Sequence, residues 1–269
     1  MAHAFIFGLG YTGSRLAERL RTLGWDVSGT GGGSSLRFDD RAAVGAAVAA
    51  ATHFICTIPP GSGLLDLYGS LLHDKWLGYL SSTGVYGDAD GAWVDESTPL
   101  NGRRGGRIDE DAAWLARGAR VFRLPGIYGP GRSALERVAS GTAHRVEVPG
   151  QVFSRVHVDD IVAAIIAGFD APAGAYNIAD NRPCDQNAVM EEAARLLGLS
   201  PPPFVALDSL SAQARAFYAE NRRVANGKAR RVLGWAPAYP DFVTGLRALR
   251  AISSPAIATT PPATASKVQ

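Results

Sequence analysis

The chain has 269 residues, 46% hydrophobic and 19% charged, which fits one large domain or a domain with a smaller lobe and excludes a disordered chain. Its 27 basic and 25 acidic residues leave a net charge of +2, so nothing calls for nucleic acid or an anionic membrane as partner. The two cysteines, Cys56 and Cys184, lie in no CxxC or Cys/His cluster; no metal site is indicated, and both read as small buried hydrophobes.

The opening "MAHAFIFGLG" enters a strand-like run with no charged n-region and no cleavage site, so no signal peptide is expected. The longest apolar stretches are too short or too alanine-rich to span a bilayer, and a soluble, cytoplasmic protein is expected. "HAFIFGLG" has strand length. "YTGSRLAERLRTLG" places Leu16, Leu20 and Leu23 at helical spacing, and Gly24 ends it. "WDVSGT" reads as a second strand, "SLRFD" as a short third, "DRAAVGAAVAAA" as a helix and "THFICTI" as a fourth strand. "DKWLGYLSST" holds a fifth strand and "ARVFRLPGIYGPG" a sixth, ending in a Pro/Gly loop. Strands separated by helices in this way indicate βαβ units and a parallel sheet covered on both faces.

The second half is mixed. "RVHVDDIVAAIIAGF" reads as a short strand and a helix capped by Asp159 or Asp160, and "GAYNIAD" as a strand. "QNAVMEEAARLLG" is an amphipathic helix stopped by Gly198, and "LSAQARAFYAENRRVANGKARRVLGW" reads as largely helical. The expectation is an α/β, doubly wound parallel sheet over residues 1–252. A small C-terminal α/β substrate lobe is drawn from segments after about Arg132, and residues 253–269 form a disordered tail of Ser, Thr, Ala and Pro.

The sharpest local motif is Gly8-Leu9-Gly10-Tyr11-Thr12-Gly13, at the junction of the first strand and helix. In that context Gly8 makes the tight turn, Gly10 lets backbone approach a pyrophosphate, and Gly13 lets helix and sheet pack closely. The helix N-terminus then offers unpaired N–H groups to phosphate. The competing reading is a glycine-rich turn without a ligand. The ligand expected is NAD(P). The second strand ends "VSGTGGGSS", with Thr30 and three glycines where an acid would hold the ribose of NAD. That leans slightly to NADP, with Ser34, Ser35 and Arg37 as phosphate contacts or simply as loop. Asp39 either bonds the adenine edge or caps a helix.

Four further motifs follow in order: "TIPPG", "SSTGVYGD" with "VDESTP", "RLPGIYGPGR" and "RVHVDDIVAAI". Between about Phe5 and Ala179 the chain resembles the extended short-chain dehydrogenase/reductase superfamily, the NAD-dependent epimerase/dehydratase group. "FYAENRRVANGKARRVLGW" resembles that group's C-terminal part. The resemblance implies that Ser82 bonds the substrate oxygen, with Thr83 beside it. It implies that Thr57, Ile58 and Pro59 line the cofactor, and that Leu124, Pro125 and Gly126 lie by the nicotinamide. Tyr86 is either a packing residue or a stand-in proton donor. His157, Asp159 and Asp160 are either near the substrate or structural.

The same resemblance calls for a catalytic tyrosine followed four residues later by lysine. Counting from Asp95–Glu96, these fall near Arg107 and Asp111, inside "GRRGGRIDED". The three lysines, Lys75, Lys228 and Lys267, follow Leu71, Val224 and Ala263 by four residues, so no Tyr-x-x-x-Lys occurs in the chain. Arg107 either serves the site through its planar guanidinium or belongs, with Arg103 and Arg104, to a solvated run before a helix whose acids Asp109, Glu110 and Asp111 suit the dipole. Atypical members of the superfamily also lack this pair. The expectation is an oxidoreductase or epimerase-like protein working by hydride transfer on a sugar-like or other small carbonyl/hydroxyl substrate. The alternative is a non-catalytic NAD(P)-binding sensor or scaffold. A homodimer is possible by analogy.

Overall fold

The computed structural model describes residues 2–34, 36–103 and 106–253. Ser35, Arg104 and the tail beyond residue 253 lie outside them. The first half runs β1 (His3–Phe7), α1 (Tyr11–Thr22), β2 (Asp26–Thr30), α2 (Arg41–Ala50), β3 (His53–Cys56), α3 (Leu64–Tyr68), β4 (Trp76–Ser82), β5 (Trp93–Val94), α4 (Gly106–Ala116) and β6 (Arg120–Leu124). The rest runs β7 (Gly126–Tyr128), α5 (Ala134–Ala139), β8 (Arg145–Val146), β9 (Arg155–His157), α6 (Val158–Ala167), β10 (Gly174–Asn177), α7 (Gln186–Leu197), β11 (Phe204–Val205), α8 (Ala212–Tyr218), β12 (Arg223–Val224), α9 (Gly227–Val232) and α10 (Phe242–Ser253).

Six strands form one sheet in the order β10-β6-β4-β3-β1-β2, and every pairing in it is parallel. Both faces are covered, as the unbroken apolar runs require. Along β1 and β3, Ala4, Ile6 and Ile55 enter one core, and Phe5, Phe7 and Phe54 enter the other. This is a Rossmann-type sheet. The chain leaves β1 toward β2 and then returns to β1's other side with β3. That reversal opens a crevice at the carboxyl ends of the strands.

A smaller body lies beyond the sheet. Helices α5, α7 and α10 share a separate core that includes Leu135, Met190 and Leu246, and β8 pairs with β11 beside it. Not every segment after Arg132 goes there, because α6 packs on α1 and β10 pairs with β6 at the sheet edge.

Several expectations need correcting. "SLRFD" is not a strand among its described residues, so β2 is the sheet edge; the segment is fixed by Ser34, whose hydroxyl donates to Gly29 O at 2.7 Å and accepts from Leu36 N. The helix after it is capped by Asp40, which accepts from Ala43 N at 3.0 Å, and not by Asp39. Leu23 falls outside α1 and is exposed. Helix α6 is capped by His157, whose Nδ1 accepts from Asp159 N at 3.2 Å. The two acids offered as caps are employed elsewhere: Asp159 takes a two-pronged bond from Arg15, and Asp160 accepts from Ala238 N and Tyr239 N. The long helical reading of residues 210–235 breaks into α8, β12 and α9, because Arg223 and Val224 pair with β5. Cys56 is buried and its thiol is pushed up to about 12, whereas Cys184 is only half-buried, with Sγ 2.9 Å from Arg155 Nη1.

Candidate active site

The glycine loop shows why each glycine is there. Gly8 has φ +102°, and a Cβ on it would meet Ile58 Cγ2 at 2.5 Å. A Cβ on Gly13 would stand 2.1 Å from the Gly8 carbonyl oxygen, so α1 can lie this close to β1 only without a side chain there. At Gly10 nothing stands within 4 Å of the Cβ position. Gly10 is also the N-cap of α1 and supplies no side-chain cap, and the first turn carries no acid. The positive end of the helix therefore faces open space.

That space is a cavity of about 1060 Å³ along the carboxyl ends of the strands. At one end its wall is Gly10, Tyr11, Thr12, Thr57, Ile58 and Pro59. It continues past Ser82, Thr83, Arg107, Leu124, Pro125 and Gly126. A second cavity of about 670 Å³ lies at the β2 side, walled by Gly8, Thr30, Ser34, Arg37, Asp39 and Ile58. The sequence-predicted residues are thus gathered on two adjoining hollows, apart from Leu9, Gly13 and Tyr86. Leu9 donates its N–H to Thr30 O at 2.7 Å and ties the loop to β2. Thr57 sends its hydroxyl to the carbonyls of Phe7 and Gly8, which ties the loop to β3. Arg37 and Asp39 form an exposed two-pronged pair at 3.0 and 2.9 Å.

Ser82 ends β4, and its Oγ accepts from Gly84 N at 3.1 Å. That bond uses a lone pair and leaves the O–H able to donate into the cavity. Thr83 is buried beside it.

Tyr86 does not face the cavity, which corrects its reading as a proton donor. It is buried; its hydroxyl donates to Asn177 Oδ1 at 2.7 Å and accepts from Arg123 Nη1 at 3.0 Å. Burial raises its pKa further above the ordinary tyrosine range. The tyrosines on the cavity wall offer no replacement. Tyr11 donates to Pro130 O at 3.1 Å, and the Tyr128 hydroxyl is turned toward Gly245, where a Cβ would clash with it.

The position expected for lysine holds the residue that sequence reading misplaced. Asp111 is not a solvated acid at a helix start; it is wholly buried. Its carboxylate accepts from Ser81 Oγ at 2.6 Å and from Arg123 Nε and Nη2 at 3.1 and 2.8 Å. Arg123 then reaches Tyr86, and Tyr86 reaches Asn177. Strands β4, β6 and β10, helix α4 and the turn Thr83–Tyr86 are tied through one buried ion pair. One signal was available: Arg123, in the interior of the apolar strand "RVFRL", needs a buried partner. Arg107, one helical turn earlier on α4, lines the cavity half-buried. Behind the lobe wall His157 is buried with Nε2 unpartnered among the described residues, and desolvation lowers its pKa to about 4. No group of three or more His, Cys, Asp or Glu among the described residues is arranged to hold a metal, and no described helix is long and apolar enough to cross a membrane.

No protein-family model matches the chain. It is 31% identical to Protein YeeZ of Escherichia coli K12 over 90% of this chain and 97% of that one. It is 37% identical to a functionally unknown conserved protein from Silicibacter pomeroyi, whose solved structure superposes with a TM-score of 0.83 over 94% of this chain and 99% of that one. The fold also matches the dTDP-glucose 4,6-dehydratase of Bacillus anthracis, solved in complex with NAD, at a TM-score of 0.76 and 18% identity over 93% and 96% of the two chains. The chain therefore belongs to one family with Protein YeeZ, and its fold, with the glycine loop and the sheet order, is that of the extended short-chain dehydrogenase/reductase structures of the NAD-dependent epimerase/dehydratase type.

Proposed function

We propose that the chain binds NAD(P) across the carboxyl ends of β1, β3, β4 and β6 and acts as an oxidoreductase or epimerase-like enzyme on a small carbonyl or hydroxyl substrate. The observation that carries this is the uncapped, side-chain-free Gly10 end of α1, opening into a cavity whose far wall is Ser82. The residues present fit a dinucleotide. Gly10, Tyr11 and Thr12 would hold the pyrophosphate, Thr57 to Pro59 the adjoining ribose, and Leu124 to Gly126 the nicotinamide. When bound, that group supplies hydride chemistry.

The chain's own part is to bind and orient. The free O–H of Ser82 donates to the substrate oxygen, and Thr83 closes the wall beside it. With Tyr86 buried, the proton for that oxygen comes from water in the cavity through Ser82. The reading leans to NADP. The end of β2 presents Thr30 and glycines with no carboxylate for ribose hydroxyls, and Asp39 is already held by Arg37. One observation favours the rival, a non-catalytic NAD(P)-binding sensor: the helix that would carry the acid–base pair is committed to structure through Asp111.

Fluorescence titration with NADPH and NADH, on wild type and on Gly10→Glu, tests the reading. The open space at Gly10 lets the variant fold while its carboxylate occupies the phosphate position. We expect saturable binding, tighter for NADPH, with affinity falling at least about 100-fold in the variant. Wild type that binds neither cofactor sinks both the enzyme and the sensor readings.

A further inference from the structure

The cavity wall is chemically lopsided. Five arginines line it, Arg107, Arg132, Arg137, Arg155 and Arg222, against two carboxylates, Glu136 and Glu220. Both carboxylates are committed. Glu136 accepts from Gly131 N, Ser133 N and the Ser133 hydroxyl, and Glu220 pairs with Arg222 at 2.7 Å. On the reading above, the cofactor's pyrophosphate lies by Tyr11, and Arg132 stacks over that ring at 5.5 Å. Arg107 stands elsewhere. It is on the first turn of α4, which packs against β4 and the turn Thr83–Tyr86, and it has no ion-pair or hydrogen-bond partner among the described residues. A half-buried guanidinium without a counter-charge, on the same cavity wall as Ser82, favours an anionic occupant. Arg222 stands close by, with Nη2 4.0 Å and Ser82 Oγ 3.3 Å from the point where a Gly84 side chain would begin, but its charge is met by Glu220.

The lobe side of the cavity carries an apolar strip. It presents Val152, Phe153, Val189, Met190, Phe217 and Leu246. Phe153 and Phe217 stack with ring centroids 4.2 Å apart and planes 11° apart. Two of the polar groups beside them are taken: Ser154 Oγ accepts from Val224 N at 2.9 Å, and Gln186 Oε1 accepts from Arg155 at 3.2 Å. A sugar buried against this wall would leave hydroxyls unpaired, each a desolvation cost; a flat apolar body would not.

We propose that the substrate is an apolar, flat carboxylic acid bearing a carbonyl, its carboxylate held by Arg107 and its body lying against Phe153 and Phe217. This rests on the NAD(P)-dependent reading above. The test is calorimetric binding to the full chain saturated with its tighter cofactor, using phenylpyruvate, ethyl phenylpyruvate and UDP-glucose as probes. We expect the acid to bind at least about tenfold tighter than the ester, and UDP-glucose to bind weakest. Arg107→Gln lowers affinity for the acid about tenfold and leaves the ester and the cofactor unaffected, and Arg107→Lys recovers part of the loss. Phe217→Ala, at a half-exposed position that folding tolerates, weakens acid and ester alike. Equal binding of acid and ester, an Arg107→Gln variant with wild-type affinity for the acid, or preference for UDP-glucose overturns the proposal while cofactor binding stands. Failure of the cofactor itself to bind overturns the reading beneath it, and this proposal with it.

Discussion

At the Gly8–Gly13 end of the cavity the wall is backbone, and its shape comes from side chains that are missing. At the Ser81–Asp111 end the wall is backed by side chains that are bonded to one another. The first end leaves donors unpaired: α1 starts uncapped at Gly10, and a Cβ there would meet nothing within 4 Å. The second end leaves almost none, since Asp111, Arg123, Tyr86 and Asn177 Oδ1 satisfy one another. A binding surface needs unmet hydrogen-bonding capacity, and a structural network needs the opposite. The pair of positions where relatives are expected to do acid–base chemistry has here been divided between these roles. Arg107 faces the cavity, and Asp111 serves the fold.

The contrast can be broken most sharply at Asp111. Asp111→Ala leaves Arg123 charged, buried and without its acid, and should lower stability by about 3–5 kcal/mol in urea unfolding. The paired change Asp111→Leu with Arg123→Met should cost less than the single one, since it removes both charges. A small loss from Asp111→Ala would mean that the network is not holding the second end together.

At the glycine end, Gly13→Ala must push α1 away from β1 to relieve its 2.1 Å contact with Gly8 O, and should cost roughly 1–3 kcal/mol and weaken nucleotide binding. Gly10→Ala, with empty space at its Cβ position, should stay within about 1 kcal/mol of wild type. Equal costs at the two glycines would show that close packing does not distinguish them.

A modest effect is expected at Tyr86. Tyr86→Phe removes two buried hydrogen bonds and should cost about 1–2 kcal/mol, while any turnover keeps its kcat and its pH profile. Loss of kcat with stability intact would return Tyr86 to the catalytic role that its burial argues against.

What the sequence by itself determined is the layered α/β architecture, the phosphate loop and the strand ends that line the cavity. These depend on local properties: runs of apolar residues at strand length, helical spacing, and the Gly8 and Gly13 positions where a side chain would collide. The segment "SLRFD" and the cap at His157 are held by partners within five residues, whereas the helix around Arg223 is broken by pairing with distant β5 and the acids offered as caps are drawn to Arg15, Ala238 and Tyr239. Only the tertiary structure decided the fate of the polar side chains. Asp111 finds Ser81 from 30 residues away and Arg123 from 12, and Tyr86 finds Asn177 from 91. Whether an acid or a phenol faces a cavity or a buried partner depends on which distant element packs over it. Spacing along one helix does not carry that information.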